Sequence, residues 1–139
     1  MCIRDRAQID LRFETRADGE ALEAKVREAA VLAAESVRGT RIELRGGVAR
    51  MPLERSEASA GLMARYLEAA KSVGLGTGEA PLIGGGSDAS TSSSMGIASI
   101  DGLGPRGIGF HTKDEQIEVA TLLLKAQALA RFLIAQGKA

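Results

Sequence analysis

Past its first six residues the chain alternates strictly, with Ile9, Leu11 and Phe13 apolar and Asp10, Arg12 and Glu14 polar. A period of two predicts a half-buried strand over 7–14. The period then changes. Asp18 and Gly19 open a helix with Glu20 in its first turn, and Leu22, Val26, Ala29, Ala30, Ala33 and Val37 recur at helical spacing until Gly39 stops it. Residues 41–48 return to alternation, with Ile42 and Leu44 on one face, and Pro52 suits the exit from that strand because it fixes its own φ and lacks a donor. Ser56 caps a second helix whose apolar stripe is Leu62, Met63, Tyr66, Leu67, Ala70 and Val73, with Gly74 as its stop. A short helix over 89–95, a short buried strand over 96–100 and a glycine-rich loop over 102–109 follow. The last predicted helix runs from about Val119 to Gln136, its core face being Leu122, Leu123, Ala126, Leu129, Ala130, Leu133 and Ile134.

Composition narrows the function classes. The 139 residues carry 18 basic and 18 acidic side chains, so the balance implies neither nucleic acid nor an anionic membrane as partner. Aromatic residues at 3% are too few for stacking on single strands. No apolar run approaches the length needed to span a bilayer and nothing resembles a secretory signal, which makes a cytoplasmic setting the expectation. The single cysteine, Cys2, rules out an internal disulfide framework. It falls within residues 1–6, which fit nothing that follows and read as a non-native leader of the sequencing-adapter type.

The chemistry concentrates in two segments. Pro81-Leu-Ile-Gly-Gly-Gly-Ser-Asp-Ala89 places three glycines before Ser87 and Asp88, which offer an N-cap for the short helix and a backbone suited to an anion. Some twenty residues later comes Gly107-Ile-Gly-Phe-His-Thr-Lys-Asp-Glu115, which contains the only histidine, His111.

Together these segments resemble the two-zinc metallopeptidases and amidohydrolases that include glutamate carboxypeptidase, aminoacylase, acetylornithine deacetylase and peptidase T. In that family a Gly-Gly-Gly-Ser/Thr-Asp-Ala loop precedes a short strand and a Gly-x-Gly-x-His-Ser/Thr-x-x-Glu segment. The similarity spans most of 41–137. It implies an α/β chain: residues 7–52 as the second half of an α+β lid and dimerisation domain with antiparallel strands, and 53–139 as the C-terminal part of a phosphorylase/hydrolase-like zinc peptidase domain. It also implies cleavage of a peptide or N-acyl amide bond by metal-activated water, with a homodimer paired through the lid. By resemblance, His111 is one ligand of one of two zinc ions. Arg50 reaches the substrate carboxylate, for which a planar guanidinium is suited. Gly85, Gly86 and Ser87 face the substrate through main-chain N–H groups, and Asp88 is structural, satisfying donors at the start of the short helix.

Zinc catalysis needs about three protein ligands, and one histidine cannot supply them. The sequence has no His-x-Asp and no Glu-Glu pair, so the general base and the remaining ligands are expected upstream and the isolated chain is expected to be inactive. Two other readings remain. The glycine loop also resembles the phosphate loop of small-molecule kinases such as homoserine and mevalonate kinases, although one serine of that pattern is missing and the histidine segment has no place in it. The chain can also be a non-catalytic interaction module.

Overall fold

The computed structural model describes residues 5–82 and 84–137. Cys2, most of the segment read as a leader, and Ile83 ahead of the glycine loop lie outside the described residues. The chain divides into two compact units: the described residues as far as Glu54 together with Gly84–Ser94, and the remaining described residues. The class is mixed and dominated by helix, with a small antiparallel sheet, so it is broadly α+β.

In the first unit α1 spans Arg16–Ser36. Its cap is Thr15, not the predicted Asp18, which instead takes the third helical position. Thr15 Oγ1 accepts from the Asp18 N–H at 3.1 Å and donates to Asp18 Oδ2 at 2.6 Å. The reciprocal pairing occupies a donor that the helix start leaves without an intrahelical partner. A second such donor, the Arg16 N–H, reaches Glu54 Oε1. Phe13 lies over Gly19, where a Cβ would come within 2.6 Å of the ring. Glycine therefore lets the aromatic ring close on the first turn of α1. The helix ends at Ser36, before Gly39, which takes a left-handed φ of 79° in the turn that follows. Val31, Leu32, Val37, Ile42 and Leu44 remain exposed, several of them along an open groove between α1 and residues 42–44.

The predicted strands over 7–14, 41–48 and 96–100 are not strands in the structure: among the described residues none enters a hydrogen-bonded ladder. Alternation reports which side chains face a surface, whereas a strand also needs a neighbour for its backbone groups. Residues 95–103 are secured by side chains instead. The Ser99 N–H donates to the buried Ser59 Oγ, while Ile100 and Leu103 pack against the core.

The second unit is built on two helices, α2 over Glu57–Lys71 and α4 over Val119–Gln136. Ser56 caps α2 as predicted, accepting from the Ser59 N–H at 3.1 Å. At the other end Gly74 adopts φ 84° and turns the chain so that the Leu75 N–H returns to the Ala70 carbonyl, burying Leu75. Tyr66, Ala70 and Leu75 then meet Ala128 and Phe132 of α4. The Tyr66 and Phe132 rings sit edge to face, with centroids 5.9 Å apart. Arg131 Nη1 bridges the two helices by donating to the carbonyl and hydroxyl of Ser72. Arg55 and Glu79 form a forked ion pair that ties the start of α2 to the loop beyond its end. The hydrogen bond from Arg55 holds the Glu79 carboxyl below its ordinary range.

Contrary to the expectation from uninterrupted runs, α4 is by length and composition long and apolar enough to cross a membrane, with a mean hydropathy of 1.3. Lys125 and Arg131 interrupt the run without lowering its average below that of a spanning helix. Its buried residues, Thr121, Ala128 and Phe132, follow the seam with α2 and residue 106, and the predicted core positions Leu122, Leu123, Leu133 and Ile134 are exposed. The apolar face of α4 is wider than the surface α2 covers, so spacing alone could not select the covered stripe.

Tyr66 is only 3% exposed, and its hydroxyl has no hydrogen-bond partner among the described residues. Burial raises its pKa above the ordinary phenol value, because the charged phenolate is disfavoured there. A folded-state pKa raised above the unfolded one gives stability that is complete below about pH 10 and is lost as pH rises through the folded value. Tyr66→Phe is expected to stabilise the chain by about 1 kcal/mol at neutral pH, since it removes a buried unpaired hydroxyl. It should also flatten the loss of stability between neutral pH and about pH 11. Urea unfolding of both proteins across that range checks the pair of effects, and a destabilised Phe variant would contradict them.

Candidate functional site

Arg50 and the glycine loop come together in the first unit. Arg50 Nη1 lies 3.5 Å from Asp88 Oδ1 and would stand 3.2 Å from a Cβ on Gly86. Glycine at 86 thus lets a guanidinium lie over the main chain, where any side chain would crowd it. At Gly84 and Gly85 a Cβ would meet open space. The left-handed glycines of this chain are elsewhere, so the run of three is not demanded by positive φ. Its effect is to keep a stretch of backbone bare: Gly84, Gly85 and Gly86 are all exposed.

A second arginine reaches the same loop and was not singled out from the sequence. Arg12 Nη1 donates to the Gly84 carbonyl at 2.9 Å, and its Nη2 is paired with Asp10. In the sequence Arg12 is one polar position of an alternating stretch. Its contact is 72 residues away, and no local signal marks it. Two guanidinium groups therefore attend three glycines, one on the carbonyl of Gly84 and one beside Gly86.

Of the two residues that offered a cap for the short helix, Ser87 serves it and the Asp88 side chain does not. Ser87 is half-buried and serves the start of α3, Ala89–Ser94. Its Oγ accepts from the Ala89 N–H, and its carbonyl accepts from the N–H and hydroxyl of the buried Ser90. The Asp88 side chain is 99% exposed and turns to Arg50. The expectation that Asp88 satisfies donors at the helix start is thus corrected. Both residue types cap well, and the hydroxyl one position earlier reached the amide first. Asp88 contributes to α3 through its carbonyl, which accepts from the Thr91 N–H at 3.0 Å.

His111 belongs to the second unit. Strands β1, Gly107–Ile108, and β2, Gln116–Ile117, pair antiparallel with Gly107 opposite Ile117. A Cβ on Gly107 would come within 2.7 Å of the Gln116 carbonyl, so this close pairing depends on glycine. Gly109 begins the connecting turn at φ 71°. The Thr112 hydroxyl and N–H both donate to its carbonyl. His111 occupies the turn at φ 63°, a left-handed conformation that histidine adopts more readily than most residues but that still carries strain. Its N–H donates to Glu115 Oε2 at 3.3 Å, and the residue is exposed. The Gly-Phe-His-Thr-x-x-Glu run is thus a self-contained hairpin tip that presents one imidazole.

Among the described residues no group of three His, Cys, Asp or Glu side chains is placed to hold a metal ion. The residues present therefore do not form a zinc site by themselves, and His111 is a lone donor with Glu115 beside its main chain. Comparison with protein-family models, with curated proteins and with solved structures finds no match.

The chain is expected to bind zinc no more tightly than a single imidazole does. Calorimetry on the wild type and His111→Ala should give indistinguishable, weak isotherms. Micromolar or tighter binding lost in the Ala variant would show instead that this chain assembles a metal site of its own.

Proposed function

We propose that this chain is the carboxylate-recognising, C-terminal part of a zinc-dependent amide hydrolase acting on peptides or N-acyl amino acids. The observation that carries the reading is Arg50: its guanidinium lies along Gly86 and already holds a carboxylate oxygen, that of Asp88. A substrate's terminal carboxylate brings the same chemical group to the same donor. Arg12 supports the assignment by tethering the loop through the Gly84 carbonyl.

The chemistry available to these residues is recognition. A half-exposed arginine can form two parallel bonds to a carboxylate, and the bare glycine main chain allows a ligand to approach the loop without a side chain in its way. His111 adds a single imidazole at a constrained turn and, in this reading, one of several metal ligands. In the same reading the other ligands and the general base come from sequence outside these residues.

Two measurements test this. N-acetylglycine, followed by chemical shifts of the arginine side chains, should bind through Arg50 while the uncharged N-acetylglycinamide does not. Arg50→Ala should weaken N-acetylglycine by about 1.5–3 kcal/mol, and Arg50→Lys should restore only part of that because an ammonium lacks the two-pronged geometry. Equal binding in wild type and Arg50→Ala would remove Arg50 from the site. The gene upstream of the codon for Ala7 should encode a His-x-Asp motif and a Glu-Glu pair, and its reading without them would overturn the hydrolase assignment.

A further inference from the structure

We propose that Asp88 is an intramolecular competitor for Arg50 and so sets which carboxylate ligands the site accepts. This rests on the reading of Arg50 as a carboxylate donor. Asp88 Oδ1 and an incoming carboxylate require the same guanidinium, and the contact with Asp88 is an ion pair at 3.5 Å, well beyond the length of a close charge-assisted hydrogen bond. The side chain is 99% exposed, and the start of α3 is capped by Ser87. Its carboxylate is therefore free of structural duty in α3 while remaining next to Arg50.

The main chain at Asp88 is nevertheless fixed. Its carbonyl accepts from the Thr91 N–H, and the preceding Ser87 carbonyl holds Ser90. A carboxylate two rotatable bonds from a fixed backbone, beside its partner, acts at a high effective concentration even though each encounter is weak. It opposes a ligand twice, by occupying the guanidinium and by repelling a second negative charge. Simple carboxylates are then disfavoured. A ligand that also bonds to the glycine main chain can displace Asp88, because the competitor makes no such contact of its own.

The test measures N-acetylglycine affinity at constant ionic strength in the wild-type chain, Asp88→Asn, Asp88→Glu and Arg50→Ala, with the Arg50 Nε–Hε resonance reporting ligation and the Ser90 and Thr91 amides reporting the state of α3. Asp88→Asn should bind about three- to fivefold tighter, the size expected from removing an exposed ion pair. Asp88→Glu should stay near wild type, and Arg50→Ala, followed at the Gly86 amide because it lacks the Arg50 resonance, should bind at least about tenfold more weakly. Arg50-dependent binding that is equal or weaker in Asp88→Asn overturns the competitor and leaves the carboxylate reading intact. No response of Arg50 in any variant removes both.

Discussion

Among the described residues, the seam between α2 and α4 is where buried apolar side chains form one continuous cluster. Tyr66, Ala70 and Leu75 on one side and Ala128 and Phe132 on the other are its buried apolar residues. At roughly 25 cal/mol for each Å² of apolar surface removed from water, such a seam supplies most of what orders the segments around it. The loop with Leu103, the serine-held residues near Ile100 and the hairpin tied through Arg106 to Thr121 all attach to this pair of helices. The hairpin that carries His111 has two residues in each strand, too few for independent stability, and depends on that attachment.

The first unit is held differently. Its contacts are caps, a ring over a glycine, and exposed charged pairs: Thr15 with Asp18, Phe13 on Gly19, Arg12 on Gly84, Arg50 with Asp88. Exposed pairs are individually worth about 0–1 kcal/mol, so the glycine loop is positioned by several weak restraints.

How far the sequence could be read varies with the range of the interaction. Helices with local signals were legible, as with Ser56 and Gly74 bounding α2, because a cap and a left-handed stop act within a turn. The start of α1 lies at Thr15, earlier than the opening read at Asp18 and Gly19, because the apolar spacing marks the helix face and not its first turn. The strands at 7–14 and 41–48 failed because alternation carries no information about a pairing partner. Conversely, β1 and β2 were hidden by glycine, which weakens a strand signal yet permits the close approach of Gly107 to Gln116. Arg50 was singled out through resemblance, and Arg12 was not singled out at all, since its contact spans 72 residues. Ser87 and Asp88 were both read as caps, and only the geometry separates them, with the Ser87 hydroxyl on the Ala89 N–H and the Asp88 carboxylate beside Arg50.

The way the chain shares its segments between the units has a consequence for synthesis. The glycine loop and α3 belong with the N-terminal residues, although α2 and the loop after it intervene. A unit emerging from a ribosome ordinarily begins to fold once its own length is clear. Here Arg12 and Arg50 must wait for Gly84–Ser94 to appear, by which time α2 is already outside and α4 is not. During that interval the apolar stripe of α2 is uncovered. Residue order thus imposes a window of exposure on the nascent chain that is absent from the finished fold.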